Sequence, residues 1–324
     1  MPYYNFSCYH FTKWVEEDQI TQTEFAIIAV LNGVTILPAI ILNALVLVSI
    51  WRTPALHTPA MVLLGNLALS DFAVGIIAQP VLAAWTALEL RASERPHTYC
   101  DVATLYGITS TGLGAVSLFS ITAVAVDRFL ALHLHLRYKA IVTIKKAIVV
   151  CAVNWLFAVL SGVWWIIFGV NSFNVILCCV MGICAIIIMA SYVNICNVVQ
   201  KHRNQIQVVP AETSCIESCV PNVSSNIKYR KSVRTSLYIY FAFVLCYIPC
   251  FAAFLYYGIT ADNSRSGFFV KVTTTIVLMN SGINPAIYCW KMKELRCAVR
   301  SSAHLLGIFF LGSTLLIMKQ KGWM

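Results

Sequence analysis

The chain has 324 residues, of which 59% are hydrophobic and only 11% are charged, and its mean hydropathy is +0.77. Water-soluble domains carry about 25% charged residues, so this composition excludes an ordinary soluble protein and indicates a membrane protein. The formal net charge of +10 is not gathered into a basic stripe on a soluble domain, so nucleic acid is not an expected partner.

Long uncharged windows follow one another along most of the chain. A helix that crosses a lipid bilayer needs about 20 mostly apolar residues, and suitable windows cover residues 25–50, 58–88, 102–126, 147–200, 235–260 and 272–290. Only the second contains a charge, Asp71. The fourth has 54 residues, too many for one crossing, and the Gly and Asn residues at 169–174 favour a turn. We therefore predict an all-α membrane protein, a seven-transmembrane helix bundle.

The basic residues are divided unevenly between the two sides of this predicted bundle. With the N-terminus outside, 18 of the 23 Lys and Arg residues lie on the cytoplasmic side and five outside, which agrees with the excess of positive charge in cytoplasmic loops. The sequence predicts a membrane domain at 25–290, preceded by a polar, acidic extracellular segment at 1–24 without a cleavable signal peptide. Asn5 begins a glycosylation sequon on this outer segment, although so short a motif often goes unused.

The chain after the last span changes character twice. Residues 291–303 alternate cations with apolar residues, a pattern typical of a short amphipathic helix on an anionic membrane surface. Cys297 in this segment is a candidate for palmitoylation, with an ordinary cysteine as the alternative. Residues 304–324 form an apolar C-terminal tail that is short for a span, and the sequence assigns it no role.

Most of the thirteen cysteines lie within predicted spans, where cysteine behaves as a small apolar residue. Those near the oxidising outer face are Cys8, Cys100, Cys178 and Cys179. We expect Cys100 to form a disulfide with Cys178, Cys179 or Cys8. The sequence does not choose among these partners, and a free Cys100 is the alternative.

Asp71 is the most unusual residue within a span, because a carboxylate at the bilayer centre costs about 2.5–3.5 kcal/mol. Polar side chains of three other spans can converge on it: Asn43, Ser117, Asn280, Ser281 and Asn284. Carboxylate, hydroxyl and amide oxygens suit a small hard cation with water. We therefore predict an ion-binding network around Asp71, with a structural network around a protonated Asp71 as the alternative.

Other residues predict a conformational switch. Arg128 closes the third span at the inner surface, where it can pair with Asp127 in one state and change partner in another. The alternative is that Arg128 has no switching role, because the positive-inside rule by itself predicts an arginine at the cytoplasmic end of a span. Pro249 and Pro285 each remove a helical hydrogen bond and kink their spans. Tyr247, two residues before Pro249, can rock with that kink, although plain packing is the commoner role of an aromatic residue.

Taken in chain order, these features identify a family. The motifs, one per span, are Asn43; Asn66-Leu67-Ala68-Leu69-Ser70-Asp71; Asp127-Arg128-Phe129; Trp155; Tyr192; Cys246-Tyr247-Ile248-Pro249; and Asn284-Pro285-Ala286-Ile287-Tyr288. Over about residues 25–300 the chain resembles the rhodopsin-like G-protein-coupled receptors. The resemblance implies a plasma-membrane receptor, not an enzyme, with a cytoplasmic C-terminus. Its implied partners are an extracellular ligand, a heterotrimeric G protein, arrestin and the lipid bilayer.

The resemblance also implies three groups of functional residues. Those of an allosteric sodium site are Asp71, Ser117, Asn280, Ser281 and Asn284. Those of the activation switch that couples to the G protein are Asp127, Arg128, Tyr192, Asn284, Pro285 and Tyr288. Those of the ligand pocket and its toggle are Ser110, Tyr247 and Pro249. No cofactor other than sodium is implied.

Departures from the family's usual pattern bear on the ligand. Ser110 stands where amine receptors carry an aspartate, and Leu278 where opsins carry the retinal lysine, so the expected ligand is a peptide, a nucleoside-like molecule or a lipid. The early position of Cys100, Cys184 in place of a proline, and a short outer loop resemble the melanocortin, adenosine and cannabinoid branch. Glu89 and other acidic residues form an outer lip that steers a cationic peptide or is simply solvated.

A small membrane transporter or channel is the alternative class. Transporters show repeated halves with broken helices in matching positions, whereas an odd number of spans with unmatched prolines favours a receptor. An enzyme is the weaker alternative, because neither an HExxH motif nor a Gly-x-Ser-x-Gly elbow occurs.

Overall fold

The computed structural model describes residues 21–89, 96–134, 137–207, 241–256 and 266–305. Within these ranges all regular structure is helical. The helices are α1 (Gln22–Arg52), α2 (Pro59–Ala73), α3 (Gln79–Glu89), α4 (Pro96–Leu134), α5 (Tyr138–Ile141), α6 (Ile144–Gln207), α7 (Phe241–Tyr256), α8 (Ser266–Lys291) and α9 (Lys293–Leu305), with a 3₁₀ turn at Pro54–Leu56 and a π-helical turn at Val74–Ala78.

Several of these helices have the length and composition of membrane spans. Five in the described ranges are long and apolar enough to cross a bilayer: Gln22–Arg52, Pro59–Glu89, His97–Leu134, Ile144–Phe168 and Val175–Ile195. The helix α7 is apolar but shorter, and α8 has 26 residues with Pro285 inside it. The prediction of an all-α protein with several membrane-length helices is therefore confirmed for the part of the chain that the structure describes.

Capping residues explain where α1 and α2 begin. Thr21 forms a capping box with Glu24, because the Glu24 N–H donates to Thr21 Oγ1 at 3.2 Å and the Thr21 N–H donates to Glu24 Oε2 at 2.8 Å. Thr58 Oγ1 accepts a hydrogen bond from the Met61 N–H at 3.3 Å. Pro59 occupies the first turn of α2, where a backbone N–H would have no acceptor within the helix, so its absence costs no hydrogen bond. Local sequence signals thus determine both helix starts.

The helix α2 continues into α3 through the π-helical turn Val74–Ala78. Pro80 follows that turn, and a proline has no N–H to donate and clashes with the carbonyl four residues earlier. A locally widened turn lets the helix continue past it. Gly75 in this turn packs against α1, where an added Cβ would lie 2.9 Å from Ile40 Cγ1 and 3.2 Å from Ala39 Cβ. Glycine therefore permits the close approach of α1 and α2.

Helical residues run through α6 from Ile144 to Gln207, and its two membrane-length segments, Ile144–Phe168 and Val175–Ile195, lie on either side of the predicted turn at residues 169–174. A straight helix of that length would measure about 96 Å, far more than the roughly 30 Å of a bilayer's hydrocarbon core. The first half of α6 runs antiparallel to α4, because Ala158 packs at Gly112 whereas Trp165, further along α6, packs at the earlier residue Gly107.

The second half of α6 runs back along α4. The Cys184 thiol interacts with Thr122 of α4. Along α4, Thr122 lies about 22 Å from Gly107, where Trp165 packs, and beyond Gly112, where Ala158 packs. The chain direction therefore reverses between Trp165 and Cys184, as the predicted short outer connection requires. The Gly and Asn residues at 169–174 lie within the interval in which the chain reverses.

Buried apolar side chains form two clusters, one towards each end of the bundle. We name the ends after residues of α4 that lie near them, the Cys100 end and the Arg128 end. Trp85 is 1% exposed in the cluster towards the Cys100 end. Tyr288 and Leu295 are fully buried in the cluster that extends to the Arg128 end. The polar residues discussed below lie among or between these two clusters.

The helix α9 packs onto the Arg128 end with its apolar face. Leu295 is fully buried, Val299 is 3% exposed, and the Ser49 hydroxyl of α1 donates to Ser302 Oγ at 3.2 Å. Cys297 lies on the exposed face. A helix of this kind was predicted at 291–303, and the structure places one two residues further along.

Candidate functional site

Asp71 is 1% exposed and lies at the centre of a buried polar cluster. Asn284 Nδ2 donates to Asp71 Oδ2 at 2.9 Å, and the hydroxyls of Ser117 and Ser281 also interact with this carboxylate. Four of the five predicted residues thus come together from α2, α4 and α8. The fifth, Asn280, is buried one helical turn before Asn284.

The amide groups around Asp71 use only part of their hydrogen-bonding capacity. Asn43 Nδ2 donates to the carbonyl of Ser281 at 2.9 Å. The Oδ1 atoms of Asn43, Asn280 and Asn284 are buried and have no hydrogen-bond partner in the described part of the chain. An unsatisfied buried acceptor costs about 1–3 kcal/mol, so these oxygens are suited to water or a cation. With the carboxylate and hydroxyls they form an all-oxygen donor set, which fits a small hard cation.

Other metal chemistry has less support. Among the described residues, no group of three or more His, Cys, Asp or Glu side chains is arranged to hold a metal ion. The oxygen cluster around Asp71 is therefore the candidate ion site of the described ranges.

Arg128 is held at the end of α4 by the residue before it. Arg128 Nη2 donates to Asp127 Oδ2 at 2.6 Å, and the hydroxyl of Tyr138 in α5 donates to Asp127 Oδ1 at 2.6 Å. Asp127 is 3% exposed, whereas the Arg128 side chain is 17% exposed. Both oxygens of one carboxylate are thus occupied, and the guanidinium stays beside its own helix. Tyr138 was not predicted, because its contact depends on where α5 lies relative to α4.

The residues around Pro285 connect the two polar sites. Asn284 and Tyr288, one turn apart on α8, are both fully buried. Tyr288 belongs to the apolar cluster that extends to the Arg128 end, and Tyr192 of α6 packs against that cluster. Since Asn284 reaches Asp71 from the same helix, α8 links the Asp71 cluster to the residues predicted to form the activation switch.

Ser110 lies in a polar and aromatic region towards the Cys100 end. It is half-buried, and its hydroxyl donates to the Gly107 carbonyl at 3.4 Å. The Tyr106 hydroxyl lies near Ser110 and near Thr274 of α8 and makes no hydrogen bond within the described residues. Tyr106 also stacks on Trp85 of α3, with ring centroids 5.1 Å apart. Side chains of three helices therefore meet around Ser110.

Tyr247 faces the interior of the bundle. It is 9% exposed, stacks on Phe243 of the same helix with ring centroids 3.9 Å apart, and lies within electrostatic range of Asp71. Pro249, two residues later, is half-buried inside α7. The predicted toggle residue is thus packed one turn from a second aromatic ring and near the Asp71 cluster.

Cys100 is disulfide-bonded, but two of its three predicted partners are wrong. Cys178 and Cys179 are both free thiols. Cys178 lies on the returning half of α6 and interacts with Cys250 of α7, so it faces α7 and not the start of α4. The third predicted partner, Cys8, lies outside the described residues.

Several other predictions concern residues that the structure does not describe. These are the glycosylation sequon at Asn5, most of the N-terminal segment 1–24 and most of the tail 304–324.

The prediction of a solvated acidic lip is wrong for Glu89. Its side chain is 5% exposed, and Lys271 Nζ donates to both of its carboxylate oxygens at 2.5 Å. The same ammonium lies 4.5 Å from the ring centroid of Trp85, within the range of a cation–π contact. Lys271 was predicted outside the last span, whereas α8 begins at Ser266 and includes it. The sequence signal for its place inside the helix was that Lys271 directly precedes the long apolar run at 272–290.

A second interhelical network was missed although the sequence motifs contained its members. Trp155 Nε1 donates to Asn66 Oδ1 at 3.0 Å, and Asn66 Nδ2 donates to Ser120 Oγ at 2.7 Å. Asn66 therefore ties α2 to both α4 and α6. The sequence marked Asn66 and Trp155 as motif residues but gave no indication that they touch.

Comparisons with known proteins point to one family. The family model described as 7 transmembrane receptor (rhodopsin family) matches residues 42–182. G-protein coupled receptor 12 of Homo sapiens is 25% identical over 274 residues, which cover 79% of this chain and 75% of that protein. G-protein coupled receptor 3 of Rattus norvegicus is 26% identical over 269 residues, covering 78% of this chain and 75% of that protein.

A third relative belongs to the branch that the sequence resembled. Melanocortin receptor 5 of Bos taurus is 22% identical over 267 residues, covering 78% of this chain and 77% of that protein. The matched family, the related receptors and the membrane-length helices agree with the motifs found in the sequence. The chain is therefore similar to the rhodopsin-like G-protein-coupled receptors, through the family model over residues 42–182 and through relatives that are 22–26% identical.

Proposed function

We propose that this receptor converts binding of an extracellular ligand near the Cys100 end into nucleotide exchange on a heterotrimeric G protein at the Arg128 end. The observation that carries the proposal is the clamp formed by Asp127, Arg128 and Tyr138. A charged arginine held by its neighbour at a helix end is suited to exchange that partner for another.

The clamp describes a resting conformation. Arg128 can engage a G protein only after it leaves Asp127, and outward movement of the sixth span provides the space. A ligand drives this change only by binding the active conformation better, and about 5.5 kcal/mol of preference moves a population from 1:99 to 99:1. The helix α8 is suited to transmit the change, because Asn284 contacts the Asp71 carboxylate while Tyr288 packs towards the Arg128 end.

The proposed arrangement in the plasma membrane has seven spans, an extracellular N-terminus and a cytoplasmic C-terminus. The helices α7 and α8 supply the sixth and seventh spans, and the two halves of α6 supply the fourth and fifth. The helix α9 lies on the inner membrane surface with Cys297 available for palmitoylation. Arrestin is a further partner of the same inner surface.

The proposed ligand is a peptide, a nucleoside-like molecule or a lipid, and neither a typical amine nor retinal. Ser110 provides no negative charge for an ammonium group, and Leu278 cannot form a Schiff base. The surroundings of Ser110 are aromatic and hydroxylated, through Tyr106, Trp85 and Thr274, which favours a ligand with a large apolar part.

We also propose that the oxygen cluster around Asp71 holds an allosteric sodium ion. Asp71, Ser117, Ser281 and Asn284 would supply ligands directly, and Asn280 would supply one directly or through water. A cation there would neutralise a buried carboxylate in the resting state. The unsatisfied amide oxygens support this proposal.

The test is a second-messenger assay in cells that express the receptor at a measured surface density. Arg128→Ala should reach the surface normally and lose both basal and ligand-stimulated signalling, because the guanidinium is the group that engages the G protein. Arg52→Ala is the matched control, since Arg52 is exposed at the end of α1 and lies outside the clamp. Signalling by Arg128→Ala equal to that of Arg52→Ala would remove the proposal.

A further inference from the structure

The ion pair between Glu89 and Lys271 is the feature of the described bundle that no role above explains. Both side chains are at most 5% exposed, and the pair joins α3 to α8. Taking two charges out of water is expensive, and a buried pair often contributes little net stability over apolar residues. Ionisable residues inside a membrane domain are therefore functional candidates by default.

The pair belongs to the region around Ser110. Lys271 lies over the ring of Trp85, Trp85 stacks on Tyr106, and the Tyr106 hydroxyl lies near Ser110 and Thr274. Thr274 follows Lys271 by one helical turn, so the two residues share a face of α8. The ammonium therefore points into the bundle at the place where the ligand is expected.

The position of Lys271 decides what happens when the pair opens. Lys271 lies five residues into α8, about 7–8 Å from the helix start. When the pair opens, Lys271 stays in the bundle, because its ammonium also lies over the ring of Trp85. A buried ammonium left behind needs another anion.

We propose that Lys271 anchors an acidic group of the receptor's ligand, a carboxylate or a phosphate, and that Glu89 takes the place of this group in the unliganded receptor. This inference rests on the proposed receptor function and narrows its ligand class. The rest of the wall is aromatic and apolar, with Trp85, Tyr99 and Leu278 buried nearby. The ligand is therefore an acid with a large apolar body, and its binding releases α3 from α8.

Removal of the internal carboxylate gives the most direct test. The full chain is purified in phosphatidylcholine nanodiscs as wild type, Glu89→Ala and the double variant Glu89→Ala/Lys271→Met. The melting temperature is measured against acetate, methyl phosphate and the neutral acetamide. Glu89→Ala should melt below wild type, and acetate, methyl phosphate or both should restore it saturably. Which acid restores it separates carboxylate from phosphate ligands.

The controls decide whether Lys271 is the anchor. Acetamide should have no effect on Glu89→Ala, and neither acid should stabilise the double variant, because the cation is gone. The proposal is overturned if neither acid restores Glu89→Ala, if acetamide acts like the acids, or if the acids act equally on the double variant.

A second measurement covers the case in which Glu89→Ala does not fold. Wild type, Lys271→Met and Lys271→Arg are then titrated with octanoate and with octanamide. Octanoate should bind wild type and Lys271→Arg about tenfold or more tighter than Lys271→Met, as expected for loss of a charge-assisted hydrogen bond. Equal octanoate affinity in Lys271→Met would overturn the proposal. Neither measurement includes a G protein, so a failure here is distinguishable from a failure of the receptor function.

Discussion

Gly107 of α4 packs directly on the indole of Trp165 of α6, and this contact predicts a large effect from one methyl group. A Cβ added at Gly107 would lie 2.6 Å from Trp165 Cη2 and 2.7 Å from Cε2, and closer still to Cζ2. Trp165 is only 3% exposed, so the ring has little room to retreat. Overpacking of this kind costs about 1–3 kcal/mol, against a gain of about 1 kcal/mol for replacing a helical glycine by alanine.

Gly114 supplies the matched control. It lies on the same helix two turns further along, and a Cβ added there meets nothing within 4 Å. Gly114→Ala should therefore show only the gain in helix propensity. Gly107→Ala should be less stable than Gly114→Ala by about 1–3 kcal/mol, since the gain is common to both variants.

Thermal unfolding of the two variants in nanodiscs measures this difference. One kcal/mol corresponds to about 2–4 °C for a domain of 150–250 residues, so Gly107→Ala should melt several degrees below Gly114→Ala. Adding Trp165→Leu to Gly107→Ala should recover part of the loss by removing the clashing ring. Equal melting temperatures for Gly107→Ala and Gly114→Ala would refute the packing of α4 against the first half of α6.

Three other predictions concern Asp71, Trp155 and Cys100. Asp71→Asn should abolish the effect of sodium on ligand affinity, and a salt response equal to that of wild type would remove the sodium site. Trp155→Phe should lower stability by about 1–3 kcal/mol, because Asn66 Oδ1 loses its donor; an unchanged melting temperature would contradict this. Mass spectrometry of peptides from the unreduced protein should find Cys100 linked to Cys8, and a different partner would exclude the last of the predicted pairings.

The sequence was most informative where burial in lipid forces polar groups to find each other. A lone carboxylate in a span needs partners, and the other spans hold few polar residues, so Asn284 could be predicted among the candidate partners of Asp71. The pairing of Asp127 with Arg128 was equally accessible, because adjacent residues at a helix end are always within reach. The long apolar windows determined the helices for the same reason.

Contacts that depend on the relative positions of separate helices could not be predicted in this way. Glu89 and Lys271 are 182 residues apart, and whether they meet depends on the depth of α3 and α8 along the bundle axis. Tyr138 reaches Asp127 only because of where α5 lies relative to α4. The predicted disulfide between Cys100 and Cys178 is wrong for a related reason. The sequence places Cys178 near the outer face but does not reveal that it faces α7.

The most direct test of the account is nucleotide exchange by purified components. Wild type, Arg128→Ala and Arg52→Ala in nanodiscs are each mixed with a panel of purified heterotrimeric G proteins, and GDP release is followed with and without octanoate. Wild type and Arg52→Ala should accelerate GDP release from at least one G protein, whereas Arg128→Ala should leave the spontaneous rate unchanged. Failure of wild type to accelerate release from every G protein in the panel, or full acceleration by Arg128→Ala, would contradict the account.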